Sequence, residues 1–292
     1  MAGPVVVGVD GSSAALTAVK WAADESVRRH VGLRLVHGYL PPIHGYPELV
    51  LAENEVRRVF QLRAEQCLEE AAAAARATVP DVHVEWEAVG AGPSEALIDQ
   101  SRRASLLVVG SEGRGGVAGL LVGSVAVALV AHGRCPVVVV RHAEALNGPV
   151  VVGVDGSPVS ERAIAFAFEE ASLRAAPLTA VIACDDFVYD TPEGSLRLVS
   201  DWDAVQAEQR RALAERLAGW QEKHPDVTVE REVVRSRPTR ALLDAGRGAQ
   251  LLVVGSHGRG GFTGMLLGST SQALIHHAPC PLAVVRRTEA ER

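Results

Sequence analysis

The chain has 292 residues, with 29 Lys and Arg against 35 Asp and Glu and a formal net charge of −6. The length is that of about two ordinary domains, and the acidic balance, without any basic run, excludes a nucleic-acid footprint. No apolar run approaches the ~18 residues of a membrane span, no signal-peptide pattern opens the chain, and the four cysteines have neither CxxC nor metal-ligand spacing, so a cytoplasmic, reducing compartment is expected.

In chain order, Val5–Val9 is a short β-branched run of the kind buried on both faces of a parallel sheet. It ends at Asp10-Gly11-Ser12 and opens a helix of about 18 residues, whose apolar stripe is Ala18, Val19, Ala22, Ala23 and Val27. A second strand is expected at Leu33–His37. After a Pro- and Gly-rich loop, Pro41 to Pro47, a long helix is expected from about Glu48 to Thr78. Val82–Val89 alternates and reads as a more exposed third strand. A short helix leads to a fourth, buried strand, Leu106–Gly110. A glycine loop, a helix and a last strand, Val137–Arg141, follow.

The whole series then recurs 145 residues on. Val5 to Ser12 returns as Val150 to Ser157, and Leu106 to Ser124 returns as Leu251 to Ser269 with 14 of 19 positions identical. A period this long marks two whole domains rather than a solenoid. Asn147-Gly148-Pro149 reads as the linker, giving domains 1–146 and 147–292. In the second copy the strands are expected at Val150–Val154, Leu178–Ala183, Val227–Val233, Leu251–Gly255 and Leu282–Arg286, with a long helix from about Ser200 to Lys223. Ser157-Pro158 is an N-cap followed by proline at the first helical position. Strands linked by helices predict an α/β fold: two repeated doubly wound, Rossmann-like domains, each a five-stranded parallel sheet with helices on both faces. Such sheets bind ligands beyond the carboxyl ends of their strands, where the strand order reverses.

Both repeated segments lie at such ends. The spacing is Gly110, two residues, Gly113, nine residues, Gly123-Ser124, and again Gly255, Gly258, Gly268-Ser269, with extra glycines at Gly115, Gly116, Gly260 and Gly261. Glycine tolerates positive φ and has no Cβ to block a close approach, so successive N–H groups can form an anion-binding concavity. Ser124 and Ser269 open helices whose first N–H groups are unpaired and whose dipole favours negative charge. Arg114 and Arg259 add positive charge to the loops. Where one loop has Glu112 the other has His257, so the two sites are expected to differ in charge.

VVVGVDGS at the head, VVGSxGRGG after the fourth strand and the G-2x-G-9x-G(S/T) spacing resemble the universal stress protein family, its ATP-binding branch in tandem form. The resemblance covers essentially the whole chain and implies the adenine nucleotide alpha hydrolase-like variety of the fold. It implies that Asp10 and Asp155 lie beside the nucleoside and that Gly8 and Gly153 allow its approach. Val36 and His37, or Ala183, would frame the base. Gly110, Ser111, Gly113, Arg114, Gly115, Gly116, Gly123, Ser124 and Val125 would hold ribose and phosphates. Ser256, Gly258, Arg259, Gly260, Gly261, Gly268, Ser269 and Thr270 would do so in the second copy, beginning from Gly255, with Asp186 close by. ATP with Mg²⁺ held through phosphate oxygens is the expected ligand, and a cyclic nucleotide is a variant. Dimeric association is implied through Val137–Arg141 and Leu282–Arg286, within one chain or between two.

No catalytic set is evident: there is no repeated Ser/His/Asp or Cys/His arrangement, no HExxH and no GxSxG. Glu69-Glu70 and Glu169-Glu170 read as solvated helix faces, the four tryptophans as packing residues, and Cys135 and Cys280 as small core residues. His132 and His277 read as helix-end residues. The expectation is a nucleotide-binding stress-response regulator, a sensor or switch. The alternatives are a slow ATPase or nucleotidyl-transfer enzyme, and an interaction module with vestigial loops.

Overall fold

The computed structural model describes residues 3–41, 53–113, 122–141, 147–185, 188–191, 194–197, 201–259 and 267–286. They fall into two compact units, within 3–141 and within 147–286. The expected boundary after 146 falls beside 142–146, outside the described residues.

In the first unit β1 (Val5–Gly8), β2 (Leu33–Gly38), β3 (Val84–Val89), β4 (Leu106–Gly110) and β5 (Val137–Val140) are joined by four helices. These are α1 (Ser13–Arg28), α2 (Glu53–Thr78), α3 (Pro93–Gln100) and α4 (Ser124–His132). The strands lie in the order β3-β2-β1-β4-β5, every pair parallel. Val5 is in register with Leu33 on one side and Leu106 on the other, so the order reverses between β1 and β4. Helix α1 packs on β1 and β4 and against α2, while α3 packs on β1 and β2 and against α4.

The second unit repeats this with β6 (Val150–Gly153), β7 (Leu178–Cys184), β10 (Val229–Arg235), β11 (Leu251–Gly255) and β12 (Leu282–Val285). Its order is β10-β7-β6-β11-β12, again parallel. Its helices are α5 (Pro158–Leu173), α6 (Trp202–Lys223), α7 (Pro238–Ala245) and α8 (Ser269–His277). The doubly wound parallel fold expected from the sequence is therefore present in each unit. A two-stranded antiparallel ribbon, β8 (Val188–Thr191) with β9 (Gly194–Arg197), was not expected. The third strand of the second unit is displaced two residues from expectation, to Val229–Arg235. The start of the long helix expected from Glu48 lies outside the described residues until Glu53.

The β-branched runs are buried because both sheet faces are covered: β4, β5, β11 and β12 hold buried residues at nearly every position. Ser12 and Ser157 cap α1 and α5, each hydroxyl accepting from a backbone N–H three residues on, at 3.1 and 3.2 Å. Both helices end alike. Val31 N–H bonds the Ser26 carbonyl and Ala176 N–H that of Ala171, both at 2.9 Å, a Schellman closure. The left-handed positions are His30 (φ 52°) and Ala175 (φ 49°), where glycine is usual.

Three sequence expectations require correction. Glu170 is fully buried, 0% exposed, paired with Arg174 at 2.8 Å. Its repeat mate Glu25 is equally buried against Arg29 at 2.6 Å, so the final turn of α1 and α5 holds an internal ion pair rather than a solvated face. Val27, counted in the apolar stripe, is 44% exposed. Trp86 is exposed rather than packed. Among the described residues no helix is long and apolar enough to cross a membrane.

Candidate functional site

At the reversal of strand order the second unit opens a cleft of about 500 Å³ at the carboxyl ends of β6, β7 and β11. That is within the ~300–1,000 Å³ typical of small-molecule sites. One wall is Gly153, Val154 and Asp155. Val181 and Ala183 of β7, with Pro238 and Leu242 of α7, form an apolar end. Gly255, His257, Gly258 and Arg259 of the glycine loop, with Gly268 to Ser271 at the start of α8, form the opposite end.

Asp155 organises the middle. Its Oδ1 accepts from the Ser157 N–H at 2.8 Å, closing the Asp-Gly-Ser turn, and its Oδ2 accepts from the Arg259 N–H at 3.1 Å. The turn and glycine loop are thus tied through one carboxylate. Asp10 closes the equivalent turn by accepting from Ser12 N–H at 2.9 Å. Gly11 and Gly156 between them sit at φ +79° and +76°, a conformation glycine adopts without Cβ strain.

Among the described residues the loop glycines act by room, and none of them has a positive φ. A Cβ on Gly113 would lie 2.6 Å from Asp10 Oδ2, and one on Gly258 the same distance from Asp155 Oδ2. On Gly110 it would meet the Ala14 backbone at 2.7 Å, and on Gly255 a Val159 methyl at 2.9 Å, so these two admit the first helix of the unit. Gly8 and Gly153 likewise admit Leu97 and Leu242, at 2.7 and 2.9 Å. For Gly8, Gly110, Gly153 and Gly255 close packing alone accounts for the glycine, although Gly153 and Gly255 also line the cleft.

Gly123 and Gly268 are N-caps of α4 and α8, and neither helix has a side-chain cap. Each cap N–H donates at 2.8 Å to a loop carbonyl, Ser111 or Ser256. The N–H groups at the first turn, at Ser124 and Val125 or Ser269 and Thr270, have no partner within their helix by geometry and carry the positive end of its dipole. Ser271 Oγ donates to the Gly255 carbonyl at 2.7 Å and pins α8 to the end of β11.

Of the residues expected from the sequence, Gly153, Asp155, Ala183, Gly255, Gly258, Arg259, Gly268, Ser269 and Thr270 are brought together. Ser256 is not: it is buried, its hydroxyl 3.0 Å from His257 Nδ1. Ser111 is buried likewise. Arg114, Gly115, Gly116, Asp186, Gly260 and Gly261 lie outside the described residues. Strand alternation puts Val36 on one sheet face and His37 on the other; their mates behave accordingly, Val181 lining this cleft and Ile182 not. Sequence reading missed Val181, Pro238 and Leu242. The repeat carried a signal, since Val36, Pro93 and Leu97 stand 145 residues earlier.

Glu112 is exposed and attracts the Arg141 guanidinium, partly offsetting the burial that lowers the pKa of Arg141. Burial raises the thiol pKa of Cys184 at the end of β7. Among the described residues no group of three or more His, Cys, Asp or Glu is placed to hold a metal ion.

Comparison with known proteins bears on this arrangement. The model of the universal stress protein family matches residues 1–141 and 147–286. A universal stress protein of Mycobacterium tuberculosis is 44% identical over 298 residues, covering 97% of each chain. A second from the same organism is 40% identical over 294 residues, 97% of this chain and 96% of its own. Among solved structures, a universal stress protein from Archaeoglobus fulgidus matches with a TM-score of 0.73 at 20% identity, over 97% of this chain and 98% of its own, a likeness of fold.

Proposed function

The chain belongs to the universal stress protein family, and on that premise we propose that it is an ATP-binding regulator with one backbone-built nucleotide site per unit. The observation that carries this is the cleft of about 500 Å³ in the second unit, apolar at the Val181–Leu242 end and lined by backbone and small hydroxyls at the other. An adenine suits the first end and a polyphosphate the second, because free N–H groups at a helix start attract anions. Mg²⁺ is proposed to bind through phosphate oxygens and water, the usual way this ion joins a nucleotide. It neutralises the polyphosphate where His257 stands in one loop and Glu112 in the other. Asp155 holds the turn and loop in register, so a ligand that contacts both acts on the start of α5 and α8 together. This mechanical link favours a sensor over a fast catalyst.

The repeated elements extend the proposal to the first unit, through Gly8, Asp10, Gly113, Gly123 and Ser124. Association through β5 and β12, within a chain or between chains, belongs to the same proposal, and light scattering on the purified chain reports whether copies pair.

The test is to purify the chain without added nucleotide, denature it and quantify released small molecules by mass spectrometry. ATP at one per unit supports the proposal. ADP alone favours the slow ATPase and calls for turnover measurements. Nothing released, and no calorimetric binding of ATP with Mg²⁺, refutes the proposal in favour of an interaction module.

A further inference from the structure

Beyond Asp155 the second unit has another cavity, of about 660 Å³, between the end of β7 and α6. It shares Val154, Asp155, Ala183 and Arg259 with the cleft already described, so the two spaces adjoin along Asp155 and Arg259. Its apolar wall includes Ile182, Val205 and Ala212, and Gln209 of α6 supplies an amide.

Two guanidiniums converge at its mouth. Nη2 of Arg216 lies 2.8 Å from where a Cβ on Gly156 would sit, and Nη2 of Arg259 lies closer still. Arg216 gives its Nη1 to Glu161, which leaves the Nη2 edge for another acceptor. Among the described residues no carboxylate pairs with the Arg259 guanidinium. The nearby carboxylates are already engaged: Asp155 accepts from two backbone N–H groups, and Asp185 pairs with Arg237 at 3.6 Å. Like charges are not brought together without cost. An anion between them relieves it, and two guanidinium forks match a phosphate.

The first unit has no such arrangement at the equivalent positions. Counting back 145 residues, Glu161, Gln209 and Arg216 correspond to Leu16, Ala64 and Ala71, and both alanines are fully buried. The polar set is therefore a feature of the second unit rather than of the fold.

We propose that the second unit's site is bipartite and takes a nucleotide bearing a second phosphate group away from its 5′-phosphate chain. That phosphate is held by Arg216 and Arg259 with Gln209 beside them. The inference rests on the reading of the first cleft as an adenine-nucleotide site.

Isothermal titration of the intact chain compares AMP with adenosine 3′,5′-bisphosphate, and AMP with adenosine 2′,5′-bisphosphate. In at least one of the two pairs, the ligand with the remote phosphate binds one site about tenfold or more tighter than its partner, as expected for a charge-assisted hydrogen bond pair. In Arg216→Gln, and separately in Gln209→Glu, that preference falls to about one, each protein's affinity for the simple nucleotide serving as its own reference. The second variant adds repulsion without removing the Glu161 partner, so it covers a folding failure in the first. Equal affinities within both pairs in the wild type, or a preference that survives both variants, overturns the inference while leaving ATP binding standing. No binding of any nucleotide overturns both readings together.

Discussion

Replacing Gly258 by valine tests the tie between loop and turn. The new Cβ would stand 2.6 Å from Asp155 Oδ2, whereas ordinary contact begins at 3.4 Å. The carboxylate or the loop must therefore retreat by about 0.8 Å, and the 3.1 Å bond from Arg259 N–H to that oxygen goes with it. A hydrogen bond to a charged group contributes about 1.5–3 kcal/mol, and the valine methyls also take up cleft volume. At 1.4 kcal/mol per tenfold, affinity at this site falls by about 10- to 150-fold. The fold is little affected, because the bond is exposed and lies outside the sheet. Titration calorimetry of the intact chain with ATP and Mg²⁺ then shows one wild-type site and one weak or silent site. Gly113→Val, facing Asp10 with the same 2.6 Å clearance, silences the other. Two sites of wild-type affinity in a variant with an unchanged circular dichroism spectrum refute the reasoning.

Replacing Glu170 by alanine removes the carboxylate 2.8 Å from the buried Arg174; breaking a buried pair costs about 3–5 kcal/mol, visible as a lower urea midpoint, and a change under about 0.5 kcal/mol would discredit the internal role. Ala175→Gly works in the opposite direction: relief of a left-handed non-glycine residue at φ 49° stabilises by about 1 kcal/mol, and the same denaturation curve should move upward. Burial pushes the thiols of Cys135 and Cys280 up to about 12, from 9.0. With folded values raised, their contribution is complete below pH 9 and is lost as pH rises toward 12, at about 1.4 kcal/mol per unit for each thiol. Replacing both by valine should flatten the alkaline limb of the stability profile, and an unaltered limb would count against it.

How far the sequence spoke for itself differs between elements. β1, β4 and their mates were legible because a strand covered on both faces must be apolar throughout, and Ser157-Pro158 because a cap has few chemical solutions. Glu170 was not legible. Next to Glu169 it looks like a charged face, and only the packing of α5 reveals that one of the two turns inward to Arg174. The loop glycines were found by their spacing, and two reasons for them were legible, positive φ and room for a close approach. What was not legible is the partner: at Gly258 the room is the clearance to Asp155, a contact 103 residues away in the chain. Leu242 escaped notice because a leucine in an amphipathic helix reads as core, and it becomes a cleft residue only where it faces the bare edge of Gly153.

The outer strands β3 and β10 have a consequence for the behaviour of the protein in a crowded cell. Glu85 and Glu87 on one, and Glu230 and Glu232 on the other, stand exposed at alternate positions. The same strand of a second copy, adding in parallel and in register at either margin, would bring its own carboxylates alongside these, and like charges in neighbouring register repel. Arg34 hydrogen-bonds Glu85 at 2.7 Å and lowers the pKa of that carboxyl, while among the described residues Glu87 has no such cation beside it. Each sheet therefore carries a stop to its own extension on this side, the kind of guard by which natural sheets resist polymerising.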